Sequence, residues 1–186
     1  MPKILKKETK FEGKWLRFEE ITYEDSKNRI RKWENVNRTT NGAVVIIAKI
    51  IQSNKFILIR QYRPPIDNYI IEFPAGLIDE GEELTTTALR ELMEETGYKG
   101  YVKEISEPVY SSPGLSDESL SLVFVEVDGS LVENKNPKQK IEPTEDIEVI
   151  LVEADNLNEF ISDKIKSGDY IDAKLMTFIT ANKLSN

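Results

Sequence analysis

The sequence has no cysteine and no histidine in 186 residues. The first absence excludes disulfides, a thiolate nucleophile and any cysteine-built zinc or iron–sulfur site. The second excludes a Ser-His-Asp relay and an imidazole acid or base. Any metal must sit on oxygen ligands, which suit Mg²⁺, Mn²⁺ or Ca²⁺. Any general base must be a carboxylate, a lysine, a tyrosine or a metal-bound hydroxide. Long apolar runs are also missing. The longest near-apolar stretch, 42–51, is broken by Lys49 and is the size of a strand. Residues 1–10 are charged and lack the apolar segment of a secretory signal. A soluble, cytoplasmic protein with no membrane partner is expected. Positive charge is in deficit: 25 Lys+Arg against 33 Asp+Glu leave −8. That balance argues against a nucleic-acid partner. It also means that attraction of an anionic substrate must be local, from a few arginines and a bound cation.

The hydrophobic fraction, 39%, is enough for a packed core, and the length fits one domain with a small appendage. Residues 1–40 are a polar lead-in. Phe11, Trp15, Phe18, Ile21 and Tyr23 are spaced for short strands, Asp25–Asn28 reads as a turn, and Ile30–Arg38 as a return strand. The denser part runs over 41–186. Ala43–Ile51 and Phe56–Tyr62 read as strands joined by a turn, and Tyr69–Phe73 as a third, closed by Pro74-Ala75-Gly76. Leu84–Thr96 is the clearest helix, stopped by Gly97. Tyr101–Ile105, Leu120–Val127 and Ile147–Val152 are further strands, and Leu157–Lys166 and Ala173–Leu184 further helices. Strands on both sides of a central helix, with helices at the end, predict a mixed α/β sandwich.

The chemistry concentrates in residues 76–98, GLIDEGEELTTTALRELMEETGY. On its helix, Leu84, Ala88, Leu89, Leu92 and Met93 fill one arc, which must face the core. Glu91, Glu94 and Glu95 crowd the neighbouring arc, because positions three and four apart share a face. These carboxylates repel one another and lie toward the helix C-terminus, where the macrodipole disfavours negative charge. Arg90, one turn before Glu94, is the local offset, and Glu82 can fold back to the same point. A bound divalent cation would reverse the sign of the whole cluster. A solvated acidic helix face is the ordinary alternative. The strand-ending Phe73-Pro74-Ala75-Gly76 weighs against it, since such a turn can aim backbone carbonyls at a cation held by the helix.

The segment resembles the Nudix box, G-x5-E-x7-R-E-U-x-E-E-x-G-U with U a bulky apolar residue. Gly76, Glu82, Arg90, Glu91, Leu92, Glu94, Glu95 and Gly97 fall in register, and the last U is Tyr98. Further segments resemble the ADP-sugar pyrophosphatase branch of that family: 12–15, 38–40, 61–65, 72–76, and Pro113 with the following Gly114-Leu115-Ser116. The resemblance implies a Nudix fold, an α/β/α sandwich with a mixed β-sheet, plus a β-rich N-terminal dimerisation segment (1–40). It implies Mg²⁺, with Mn²⁺ as a substitute, held by Glu91, Glu95, Glu94 and the Ala75 carbonyl, with Arg90 orienting the glutamates. It implies Mg-dependent hydrolysis of ADP-ribose or a related ADP-sugar to AMP and a sugar phosphate. A silent ADP-ribose-binding module, or a hydrolase of another nucleotide such as an oxidised nucleoside diphosphate, is the alternative.

On their own, Trp15 and Trp33 read as hairpin packing. The resemblance implies instead that they sandwich adenine, one from each subunit of a homodimer. Arg38 and Arg63 match branch positions that bind the diphosphate, a task suited to a planar fork. Gly114 and Leu115 would line the terminal-ribose pocket. Ser116 is not an activated nucleophile, because the second glycine of G-x-S-x-G and any histidine are missing. The resemblance places the catalytic base at Glu145, with Glu148 or Glu94 as substitutes.

Overall fold

The computed structural model describes residues 1–38 and 42–184. The expected boundary at 40/41, and Thr39 and Thr40 of the resemblance, lie outside the described residues. Two sheets form. The smaller has three antiparallel strands in the order β1 (Lys3–Glu12), β2 (Leu16–Glu24) and β3 (Ile30–Arg38). β3 has the expected bounds, whereas β1 and β2 are longer than the short strands that the aromatic spacing suggested, and β1 begins at Lys3, ahead of that spacing. The turn between β2 and β3 is tied by the Asp25 carboxylate, which accepts the Lys27 and Arg29 amides at 2.8 and 3.0 Å.

The larger sheet has nine strands. Its middle is β4 (Ala43–Ile50), which pairs in parallel with β10 (Ser119–Val127). β4 is buried on both faces, which explains why it reads as an almost unbroken apolar run. Val45 and Ile47 pack on one side with Leu157 and Ile161 of α3 (Leu157–Lys166) and Leu175 and Ile179 of α4 (Ala173–Leu184). Val44, Ile46 and Ala48 pack on the other with Ala88 and Leu92 of α1 (Leu84–Thr96). Helices on both faces of a mixed sheet meet the expected sandwich. All three expected helices span the residues that their periodicity marked out. A short helix, α2 (Val132–Lys135), and the minor strands β9 (Val109–Tyr110) and β12 (Tyr170–Ile171) carry no comparable signal. Among the described residues no helix is long and apolar enough to cross a membrane.

One irregularity in the sheet makes room for a site. β5 (Lys55–Arg63) pairs with β4 only over 55–57; farther along, 59–63 pair with β6 (Asn68–Glu72). β4 and β5 therefore diverge. The chain after β6 fills the gap: Pro74 accepts the Ile46 amide at 2.8 Å, and Ala75–Leu77 pair with 43–45 as a short strand, β7. The expected turn at Pro74-Ala75-Gly76 is thus partly a strand, because the diverging edge of β4 offers it hydrogen-bond partners. β11 (Ile147–Glu153) pairs with β5 along 55–61, and β8 (Tyr101–Ile105) with β10.

Candidate active site

Helix α1 lies against β7 with its acidic stripe toward that gap. Gly76 sets how closely. A Cβ there would stand 1.9 Å from the Glu91 carboxyl carbon and 2.0 Å from its Oε1. Only a residue without a side chain lets Glu91 lie flat on β7. One turn on, Glu95 is 3% exposed, and its Oε2 accepts the Ala75 amide at 3.0 Å. At the helix end, Gly97 adopts φ 77° and donates its N–H to the Met93 carbonyl. A Cβ at Gly97 would lie 2.3 Å from the Lys138 nitrogen, so the chain at 137–140 passes close by. That chain satisfies the last-turn carbonyls of α1. The Lys140 amide donates to Glu94 O at 2.7 Å, and the Gln139 side-chain amide to Glu95 O at 2.7 Å.

Arg90 gathers the acids around it. Its Nε and Nη2 donate to Glu82 at 3.0 and 2.9 Å, its Nη1 to Glu91 at 2.9 Å and Glu94 at 3.0 Å, and Nη2 also to the Leu77 carbonyl at 3.3 Å. Glu82, bonded by Arg90 and then by the Thr87 hydroxyl, is held down at about 2. The other acids are pushed the opposite way. Burial drives Glu91 up to about 7 against the pull of Arg90, with Glu94 and Glu145 adding to the rise. Burial drives Glu95 up to about 9 against the Ala75 hydrogen bond, with Glu91, Glu145 and Glu72 adding to the rise. These buried carboxylates outnumber the arginines that reach them.

The expected residues fall into three groups. Ala75, Glu82, Arg90, Glu91, Glu94 and Glu95 come together at the α1–β7 contact. Glu145 joins them electrostatically, acting on both Glu91 and Glu95. Its Oε2 accepts the Glu142 amide at 2.9 Å, and its own amide donates to the Glu142 carbonyl at 3.0 Å. Glu148 instead lies 3.7 Å from Arg60. The second group joins the two sheets. The Trp33 indole donates to Gly114 O at 3.1 Å, the Val36 amide to Leu115 O at 2.9 Å, and Arg38 Nε meets Glu118 at 2.7 Å. Trp15 stands apart between β1 and β2, with the Lys14 ammonium 4.5 Å from its ring centroid. Neither tryptophan is packed away: Trp15 is 64% and Trp33 49% exposed. Arg63 makes up the third group, with Nε and Nη2 on Glu72 Oε1 at 2.9 and 2.8 Å and Nη1 not used in that pair. Glu72 is buried, and burial pushes it up despite Arg63.

Residues 40–173 match the NUDIX domain. The chain belongs to the Nudix hydrolase family. This Nudix protein is 38% identical over 184 residues to an ADP-sugar pyrophosphatase of Mus musculus, a match covering 94% of this chain and 84% of that one. It is 38% identical over 174 residues to an ADP-ribose pyrophosphatase of Saccharomyces cerevisiae, covering 87% and 74%. A crystal structure of an ADP compounds hydrolase shares the fold, with a TM-score of 0.74 at 24% identity over 99% of this chain and 94% of that one.

Nudix hydrolases generally require a divalent cation. The residues here suit one: buried carboxylates with a surplus of negative charge. As they stand, no three acids among the described residues are gathered tightly enough to chelate an ion. Glu91 and Glu94 are turned to Arg90 instead. Sequence reasoning missed Glu72 and Gln139. Glu72 was visible inside a matched segment without a role. Gln139 carries no sequence signal, since its importance depends on which carbonyls the fold brings beside it.

Proposed function

We propose that this Nudix protein hydrolyses the diphosphate of ADP-ribose and related ADP-sugars, giving AMP and a sugar phosphate. The observation that carries this reading is the pair of desolvated carboxylates, Glu91 and Glu95, pressed onto β7 by an intact box arginine and Gly76. The relatives' substrates, an ADP-sugar and ADP-ribose by their names, fit the same chemistry. Glu91, Glu95, Glu94 and the Ala75 carbonyl would hold Mg²⁺, with Mn²⁺ as a substitute. When bound, the ion supplies charge neutralisation on the diphosphate and a water of lowered pKa. Arg90 orients the glutamates. Arg38 and Arg63 hold the diphosphate, Arg63 through the nitrogen left over from its pair with Glu72. Glu145 accepts the proton of the attacking water. Gly114 and Leu115 line the sugar end.

Adenine would stack between Trp33 of one subunit and Trp15 of another. The homodimer is supported by the three-stranded sheet, which leaves Ile4, Leu5, Phe11, Trp15, Ile30 and Trp33 exposed. So much apolar surface, spread over both faces of a small sheet and the turn beside it, points to burial against a partner chain. Residues 1–40 would then form the exchanging segment and 41–186 the Nudix domain. A chain without cysteine suits the reducing cytoplasm, where we place it.

The test is ADP-ribose turnover followed by phosphatase-coupled phosphate release, with Mg²⁺ and then with EDTA. Metal-dependent formation of AMP and ribose 5-phosphate is expected. Tight binding of ADP-ribose with no turnover would turn the reading to a silent binding module.

A further inference from the structure

The stretch carrying Glu145 is fastened to α1 at its start and, just past Glu145, on the far side of the sheet. The near fastening is Gln139, whose side-chain amide donates to Glu95 O at 2.7 Å and to Ile147 O at 3.0 Å. It closes the neck of the loop against α1. The far fastening is Tyr69. Its hydroxyl donates to Asp146 Oδ2 at 2.6 Å.

The ring of Tyr69 is itself held. The Arg60 guanidinium carbon lies 3.7 Å from its centroid, and the Tyr62 ring meets it edge-on at 5.5 Å. Arg60 is locked in turn by Asp169, through Nε at 3.0 Å and Nη2 at 2.9 Å. Strand pairing explains the arrangement. Tyr62 is opposite Tyr69, Arg60 is opposite Glu148, and Gln61 is opposite both Ile70 and Ile147. Partners in register share a face, and faces alternate along a strand. Arg60, Tyr62 and Tyr69 thus occupy the face away from α1. Asp146 is drawn to that face, while the charge of its neighbour Glu145 acts on Glu91 and Glu95, which lie on the α1 side.

We propose that Tyr69 is a positioning residue for Glu145: its hydroxyl holds Asp146 behind the sheet and so sets how far the adjacent carboxylate reaches toward Glu91 and Glu95. This rests on Glu145 being the proton acceptor. The physical reason is that residues 140–146 form no helix or strand: the Glu142–Glu145 turn fixes Glu145 only relative to its own loop, and the tethers at the two ends place that turn against α1. A general base displaced by about 1 Å can cost on the order of 100-fold in rate.

Tyr69→Phe removes the hydroxyl and keeps the ring that Arg60 stacks on. On ADP-ribose, kcat is expected to fall about fivefold to twentyfold, with KM and the melting temperature close to wild type. Asp146→Ala should match it, and the double variant should fall no further than either single one. Asp146→Asn keeps an acceptor oxygen for the hydroxyl and should retain kcat to within about threefold. Wild-type kcat in Tyr69→Phe would overturn the inference, as would losses that multiply in the double variant. Glu145→Gln is measured beside them. Full kcat there removes Glu145 as the base, and this inference with it. Loss of kcat in Glu145→Gln with none in Tyr69→Phe removes the positioning role alone.

Discussion

Gly76 and Glu95 show how single residues set this site. The Gly76 backbone is not in the left-handed region, so alanine is acceptable to the main chain there. The added methyl instead meets the end of the Glu91 side chain, which can swing away. Gly76→Ala should therefore leave stability within about 1 kcal/mol of wild type while kcat/KM falls on the order of 100-fold. Thermal melting beside steady-state kinetics would check both halves; a large loss of stability would mean that β7 itself has shifted. Glu95 calls for a different argument. Burial raises it to about 9, so near neutral pH the metal-free protein holds it as an uncharged acid. Glutamine resembles that acid and can still accept the Ala75 amide. Glu95→Gln should fold and melt like the wild type and lose at least about 100-fold in activity, because an amide brings no charge to a cation. Wild-type turnover in a normally folded Glu95→Gln protein would refute the ligand assignment.

At the scale of elements, α1 carries the proposed metal-binding side chains and β7 is the surface against which they are set. The helix gathers Glu91 and Glu95 on a buried face at its C-terminal half, where both its dipole and desolvation disfavour charge. This has a consequence for pH. Their ordinary value is 4.5, and the folded protein raises Glu91 to about 7 and Glu95 to about 9. Across that window the folded state holds protons that the unfolded chain has released. Stability from these groups is thus full below about pH 4.5 and lost as pH rises through about 9. In EDTA, the melting temperature should decline from about pH 5 to 9, less steeply in Glu95→Gln. Mg²⁺ should raise it by an amount that grows with pH, because the cation competes with protons for the same oxygens. An equal Mg²⁺ effect at pH 5 and pH 9 would exclude these two acids as the binding groups.

At the scale of the whole molecule, the small sheet and the large one meet through Trp33, Val36 and Arg38 on one side and Gly114, Leu115 and Glu118 on the other. The proposed adenine contact is thus built into the joint between the sheets. Trp33→Ala should raise KM for ADP-ribose about tenfold, in line with the loss of one base stack, and change kcat by less than about twofold. Trp33→Phe keeps a stacking ring but loses the N–H bonded to Gly114, so its KM should lie between the two. An unchanged KM in Trp33→Ala would take Trp33 out of the substrate site.

The period of the sequence determined most of the framework. Leu84, Ala88 and Leu92 mark a helix because their spacing matches one face, and the apolar run Ala43–Ile51 marks a strand, which the fold places at the centre of the sheet as Ala43–Ile50. The box residues were legible for the same reason: a helix puts Glu91, Glu94 and Glu95 on one side wherever it is placed. Other features depended on contacts between residues far apart in the chain. The divergence of β4 and β5, which admits β7, follows from competition among strands for hydrogen-bond partners, and no local run records it. The reach of Arg90 to Leu77, the pairing of Arg63 with Glu72, the bridge from Gln139 and the bond from Tyr69 to Asp146 arise the same way. Periodicity shows which side chains share a face, because that is a property of one element. Which groups lose their water, and which partners replace it, is decided only when the elements pack together.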